Sequence, residues 1–158
     1  MENFKKEIWE RDNLHLEYSS LNNLQIQQIL HRLAKLCNVS VDSISNSSIF
    51  IRISEILKKE TVLLNINEKE GFKDMCSLLK LNLHIDDSTY VIWNYNNIDK
   101  ISVFNLQNYW DYIWFGASDE VCLLYFSNIE SLIMVNDYGT ILCSFPLPSA
   151  HRSVQQNC

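Results

Sequence analysis

The sequence predicts an α+β domain in which N-terminal helices pack on one face of a mainly antiparallel sheet that ends in a C-terminal meander. Three observations carry this. Helical apolar spacing dominates the first half, residues 121–126 and 131–136 form two apolar runs of strand length, and Asp137-Tyr138-Gly139 joins the second run to a third at residues 140–145. The 158 residues suffice for one domain with its own core, predicted over 1–145, with a tail of low order over 146–158 where two prolines end the apolar pattern.

The elements follow in order. Phe4, Ile8, Trp9 and Arg11 predict a short amphipathic surface helix. Residues 21–37 make the clearest helix: Leu24 or Ile26, then Ile29, Leu30, Leu33, Leu36 and Cys37 fall on one stripe, and Ser20 is placed to cap it. Residues 48–59 permit alternation or a helical stripe, and Lys58 and Lys59 favour a helix because cations suit its C-terminal end.

TVLLNI at 61–66 reads as a buried strand. Asn67 then caps a helix over 68–81, lined by Phe72, Met75, Cys76 and Leu79 in a stripe that can extend to Leu83, with Glu68 and Glu70 in its first turn. Asp86-Asp87-Ser88 is a turn, YVIWNY at 90–95 a strand, and Asn96-Asn97 its end. Residues 99–109 are compatible with a strand or a short helix. Gly139 supplies the positive φ of a tight hairpin.

Composition restricts function. A net charge of -6, from 13 basic and 19 acidic residues, leaves no clustered basic face for nucleic acid. No apolar run reaches bilayer length, so no membrane association is expected. Cys37, Cys76, Cys122, Cys143 and Cys158 stand singly, without the paired spacing of a zinc or redox motif. The odd count fits a reducing compartment, and residues 1–12 mix acids and bases rather than forming a leader, so the expected location is cytoplasmic. His15, His31, His84 and His151 are isolated, and no phosphate-cradling or nucleophile-elbow motif occurs. No catalytic residue, metal site or cofactor is therefore expected.

The unusual stretch is Tyr109 to Phe115, where Trp110, Tyr112 and Trp114 alternate with Asp111, Ile113 and Phe115. Strand alternation would put the first three on one side, either in the core or on an exposed binding face. Acids stand close by at Asp119, Glu120 and Asp137. The predicted partner-binding set is thus Trp110, Asp111, Tyr112, Trp114, Asp119, Glu120 and Asp137, since aromatic anchors within an acidic surface suit a basic protein. The alternative is a small enzyme with an acidic, metal-assisted site built from Asp119, Glu120 and Asp137.

The order Trp-x-x-Ile-Trp at 110–114, Ser118-Asp119-Glu120, an apolar strand, then Met134-Val135-Asn136-Asp137-Tyr138-Gly139 resembles small bacterial proteins of the toxin-immunity type. That resemblance covers roughly the last third of the ordered chain. It implies a non-enzymatic protein that binds and blocks a cognate toxin.

Overall fold

The computed structural model describes residues 3–57, 59–114 and 121–144. The predicted tail, and the acids Asp119 and Glu120, lie outside the described residues. In chain order the elements are α1 (Asn3–Arg11), β1 (Tyr18–Ser20), α2 (Asn23–Cys37), a 3-10 turn (Val41–Ser43), α3 (Ile49–Ile56), β2 (Lys59–Val62), α4 (Gly71–Leu79), β3 (Ser88–Asn94), β4 (Asn97–Ser102), α5 (Val103–Asn108), α6 (Trp110–Ile113), β5 (Val121–Phe126), β6 (Ser131–Asn136) and β7 (Thr140–Cys143). Among the described residues no helix is long and apolar enough to cross a membrane.

Among the described residues seven strands form one antiparallel sheet in the order β1-β4-β3-β5-β6-β7-β2, and β5, β6 and β7 are the C-terminal meander. The α+β class and the antiparallel sheet are as the sequence predicts. Helices, however, cover both faces rather than one. α1, α4, α5 and α6 pack with Val91, Leu124, Ile133 and Val135, whereas α2 and α3 pack with Ile92, Leu123, Tyr125 and Leu132. The reason lies in β5, where five consecutive residues, Cys122 to Phe126, are buried. A strand apolar at every position needs cover on both sides.

α2 begins on an Asn22–Gln25 capping box: the Asn22 side chain accepts from the Gln25 N–H, and Gln25 Oε1 accepts from the Asn22 N–H, each at 3.0 Å. Ser20, predicted as the cap, instead belongs to β1 and donates to Asp99 Oδ1 at 2.6 Å. β1 itself was not legible, because Tyr-Ser-Ser carries no apolar pattern. α3 ends at Ile56, so Lys59 is not in its last turn but opens β2.

β2 is four residues long and lies at the sheet edge, a correction to the buried strand expected over 61–66. α4 starts at Gly71, not Glu68, and Asn67 serves other bonds described below. Its buried side is Phe72, Met75, Cys76 and Leu79, as the helical spacing requires. The two readings open for residues 99–109 both apply in succession: β4 runs to Ser102, whose hydroxyl accepts from the Asn105 N–H and starts α5.

One buried polar cluster holds α1 to the sheet. Lys5 and Asp99 are both fully buried, and both touch Trp93: the Lys5 ammonium lies 3.9 Å from the ring centre, and the indole N–H donates to Asp99 Oδ2 at 2.8 Å. Lys5 Nζ also donates to the Ile113 carbonyl at 2.9 Å. Among the described side chains of α1, Lys5 and Trp9, one turn apart, are the buried ones; Ile8 packs half-buried against the same core, and Arg11 is exposed.

Candidate interaction surface

The segment from Leu63 to Glu70 links β2 to α4, and two of the chain's three glycines fix it. Gly139 has φ +79°, and a Cβ there would stand 2.1 Å from the Leu63 carbonyl oxygen. A Cβ on Gly71 would stand 2.2 Å from the Ile66 carbonyl oxygen. At both points backbone meets backbone with room for hydrogen alone. The Leu63 N–H donates to the Gly139 carbonyl at 2.9 Å, and the Gly71 N–H to the Glu68 carbonyl at 2.8 Å.

The tryptophans of α6 hold the same segment from below. Trp110 Nε1 donates to the Ile66 carbonyl and Trp114 Nε1 to Asn67 Oδ1, each at 2.6 Å. Asn67 Nδ2 then donates to the Asp137 carbonyl at 3.0 Å, joining α6 to the β6–β7 turn. Asn65 bonds Asp74 on α4. The turn is itself braced by Asn136, whose Oδ1 accepts from the N–H groups of Tyr138 and Thr140 at 3.1 and 2.8 Å.

This framework presents side chains outward. Leu64 is 89% exposed, Tyr138 80% and Val62 52%, although each is a large apolar or aromatic residue. Leu64 and Tyr138 flank the Leu63–Gly139 bond, and Val62 lies opposite Thr140 on edge strand β2. Glu60, Glu68 and Glu70 are exposed in and next to the same segment, with exposed Lys69 between the last two and Glu70 paired to Lys73 at 2.8 Å. Fixed backbone carrying exposed apolar groups beside charged residues has the composition of a protein-binding surface.

The predicted partner-binding residues divide in their placement. Trp110 and Trp114 are 0% and 1% exposed, with rings stacked 6.0 Å apart, so they support the surface from the core rather than touch a partner. Helical spacing, not strand alternation, governs them: Trp110, Ile113 and Trp114 turn inward together, and Tyr112 separates from them half-buried. The Tyr112 carbonyl accepts from Trp9 Nε1 at 3.1 Å.

Asp111 and Asp137 are half-buried, and each has one buried carboxylate oxygen, Oδ1, without a hydrogen-bond partner among the described residues. Asp137 lies in the turn beside Tyr138. The structure thus joins Trp110, Trp114 and Asp137 through Ile66 and Asn67, and adds Val62, Leu64, Tyr138, Glu60, Glu68 and Glu70. A short apolar run such as TVLLNI does not tell which leucine faces outward.

Among the described residues no three His, Cys, Asp or Glu side chains gather to hold a metal ion. Burial pushes the Cys37 thiol up to about 11 and the Cys76 thiol to about 12, so neither supplies a thiolate nucleophile near neutrality. Asp87 serves a turn, accepting from the His84 N–H at 2.8 Å and from Asn128 at 2.6 Å. Comparison of the chain with protein-family models, curated proteins and solved structures gave no match.

Proposed function

We propose that this is a non-enzymatic binding protein that occludes a basic protein partner, in the manner of an immunity protein blocking a toxin. The carrying observation is the outward pair Leu64 and Tyr138, held on backbone clamped by Gly139, with Glu60, Glu68 and Glu70 exposed in and next to the same segment. Rigid apolar anchors lose little conformational freedom on association, and those acids raise the rate of encounter with a cationic surface. The chain's net charge of -6 acts in the same direction at longer range.

A photo-crosslinking residue placed at Leu64 in the source cell should trap a protein of high isoelectric point. With that partner purified, Leu64→Ala and Tyr138→Ala should each weaken binding by about tenfold or more, and added salt should slow association. Ile85→Ala, at an exposed apolar position away from this corner, should leave affinity unchanged. An acidic partner, or equal loss at Ile85 and Leu64, would overturn the reading.

A further inference from the structure

The geometry points to a second site at the opposite edge of the sheet, a cleft that takes a small phosphate monoester. The cleft lies between α2 and the β1–β4–β3 edge and encloses about 370 Å³, at the lower end of the range for small-molecule sites. Its two walls are ordered rows. Ser19, Lys100 and Tyr90 stand in register across three neighbouring strands, on one face of the sheet. Facing them, Gln25, Gln28 and Arg32 form one stripe of α2.

The chemistry of those rows is that of an anion receptor. Arg32 and Lys100 are the charged residues of the lining, both cations in a chain of net charge -6. Among the described residues neither forms an ion pair, although Arg32 interacts with the Tyr125 hydroxyl, beside the Glu130 carboxylate that this hydroxyl meets at 3.2 Å. Two positive charges match the charge of about -1.5 to -2 that a phosphate monoester carries near neutrality. Gln25 Oε1 is committed to the helix cap, so the rest of its carboxamide, the NH2 group, is left to donate.

The remaining surface suits a flat body attached to the phosphate. Tyr90 is stacked on Tyr125 with ring centres 5.9 Å apart, which fixes its ring, and Ile29 adds an apolar wall. The Tyr125 hydroxyl is in turn hydrogen-bonded to Glu130 at 3.2 Å. An adjoining hollow shares Ser19 and Lys100 and brings in Glu17, whose carboxylate disfavours a second anionic group there. The site is therefore matched to one phosphate, not a polyphosphate.

The test uses the whole chain and three probes: phenyl phosphate, inorganic phosphate and phenol, each followed by amide NMR shifts. Phenyl phosphate should bind saturably, with shifts at residues 19–32 and 88–100. Inorganic phosphate should bind about tenfold more weakly, and phenol should not saturate by about 10 mM. Arg32→Gln and Lys100→Gln, both at exposed positions and so compatible with folding, should each weaken phenyl phosphate by about tenfold. The proposal is overturned if phenyl phosphate does not saturate by about 10 mM, if either variant binds as tightly as the parent chain, or if inorganic phosphate binds equally well. None of these outcomes bears on the Leu64 surface, which lies beside the other edge strand.

Discussion

The Leu63 N–H donates to the Gly139 carbonyl at 2.9 Å, and the Gly139 α-carbon approaches Leu63 so closely that a methyl group there would meet the Leu63 carbonyl oxygen at 2.1 Å. One pair thus closes the sheet corner and sets the direction of Leu64 and Tyr138. Gly139→Ala adds both a clash with backbone and the strain of φ +79°. It should lower unfolding free energy by about 2–4 kcal/mol, read from the urea midpoint. It should also weaken the partner more than a control substitution of equal stability cost, because the anchors change direction.

Trp110 and Trp114 should separate when each is replaced by phenylalanine. Trp110→Phe leaves the buried Ile66 carbonyl without its indole donor, whereas Trp114→Phe leaves the acceptor of Asn67, an exposed residue that water can reach. The expected losses are about 2–3 kcal/mol and about 1 kcal/mol. Equal losses in urea unfolding would mean that ring volume alone matters.

Asp99→Ala should be more costly than an ordinary polar deletion. Asp99 is 0% exposed and accepts from Ser20 Oγ and Trp93 Nε1, so its removal takes the acceptor from the half-buried Trp93 indole and from the exposed Ser20 hydroxyl and leaves a void at a buried position. The expected loss is about 2–4 kcal/mol, and Asp99→Asn, which retains one acceptor, should lose less. Thermal unfolding of the two variants beside the parent chain checks the order.

The thiols predict an alkaline limit to stability. Burial raises Cys37 to about 11 and Cys76 to about 12 from an ordinary value of 9.0, so above pH 9 the folded state retains protons that the unfolded state releases. Their contribution is therefore full below pH 9 and declines as pH rises toward 11–12. Denaturant midpoints between pH 8 and 11 should fall less steeply in a Cys37→Ala, Cys76→Ala chain than in its parent. Both thiols should also react with iodoacetamide far faster after unfolding.

Legibility in the sequence followed how local the determining contacts were. Residues 121–126 and 131–136 are strands at the expected bounds, because their apolar runs and the turns that follow each of them specify two successive hairpins. The aromatic run was misread in period because six residues with large side chains fit alternation, whereas tertiary contacts of Trp110 with Ile66 and Phe72 select the helical turn. Lys5 was hidden for another reason. A lysine is expected at the surface, and only the fold supplies Trp93 and the Ile113 carbonyl around it.

The interaction surface was the least legible part. Asp137 was identified through its turn, but Leu64 and Tyr138 are a leucine from an apolar run and a tyrosine between turn residues. Their exposure follows from β2 ending at Val62 and from the two glycine contacts, which are relations across the chain.

Both outermost strands are joined to the sheet by chain-distant partners. Ser20 meets Asp99 across 79 residues, and Lys59 meets Cys143, whereas β3–β4 and β5–β6–β7 are neighbours in sequence. Loop closure opposes such pairings most, so the central hairpins should form early in folding and the two margins last. Amide hydrogens of β1 and β2 should then exchange with solvent at lower opening free energies than those of β5. The molecule is arranged as a slow-exchanging centre with two fast-exchanging borders, and each proposed binding region lies at one border, where a bound ligand would register as added protection.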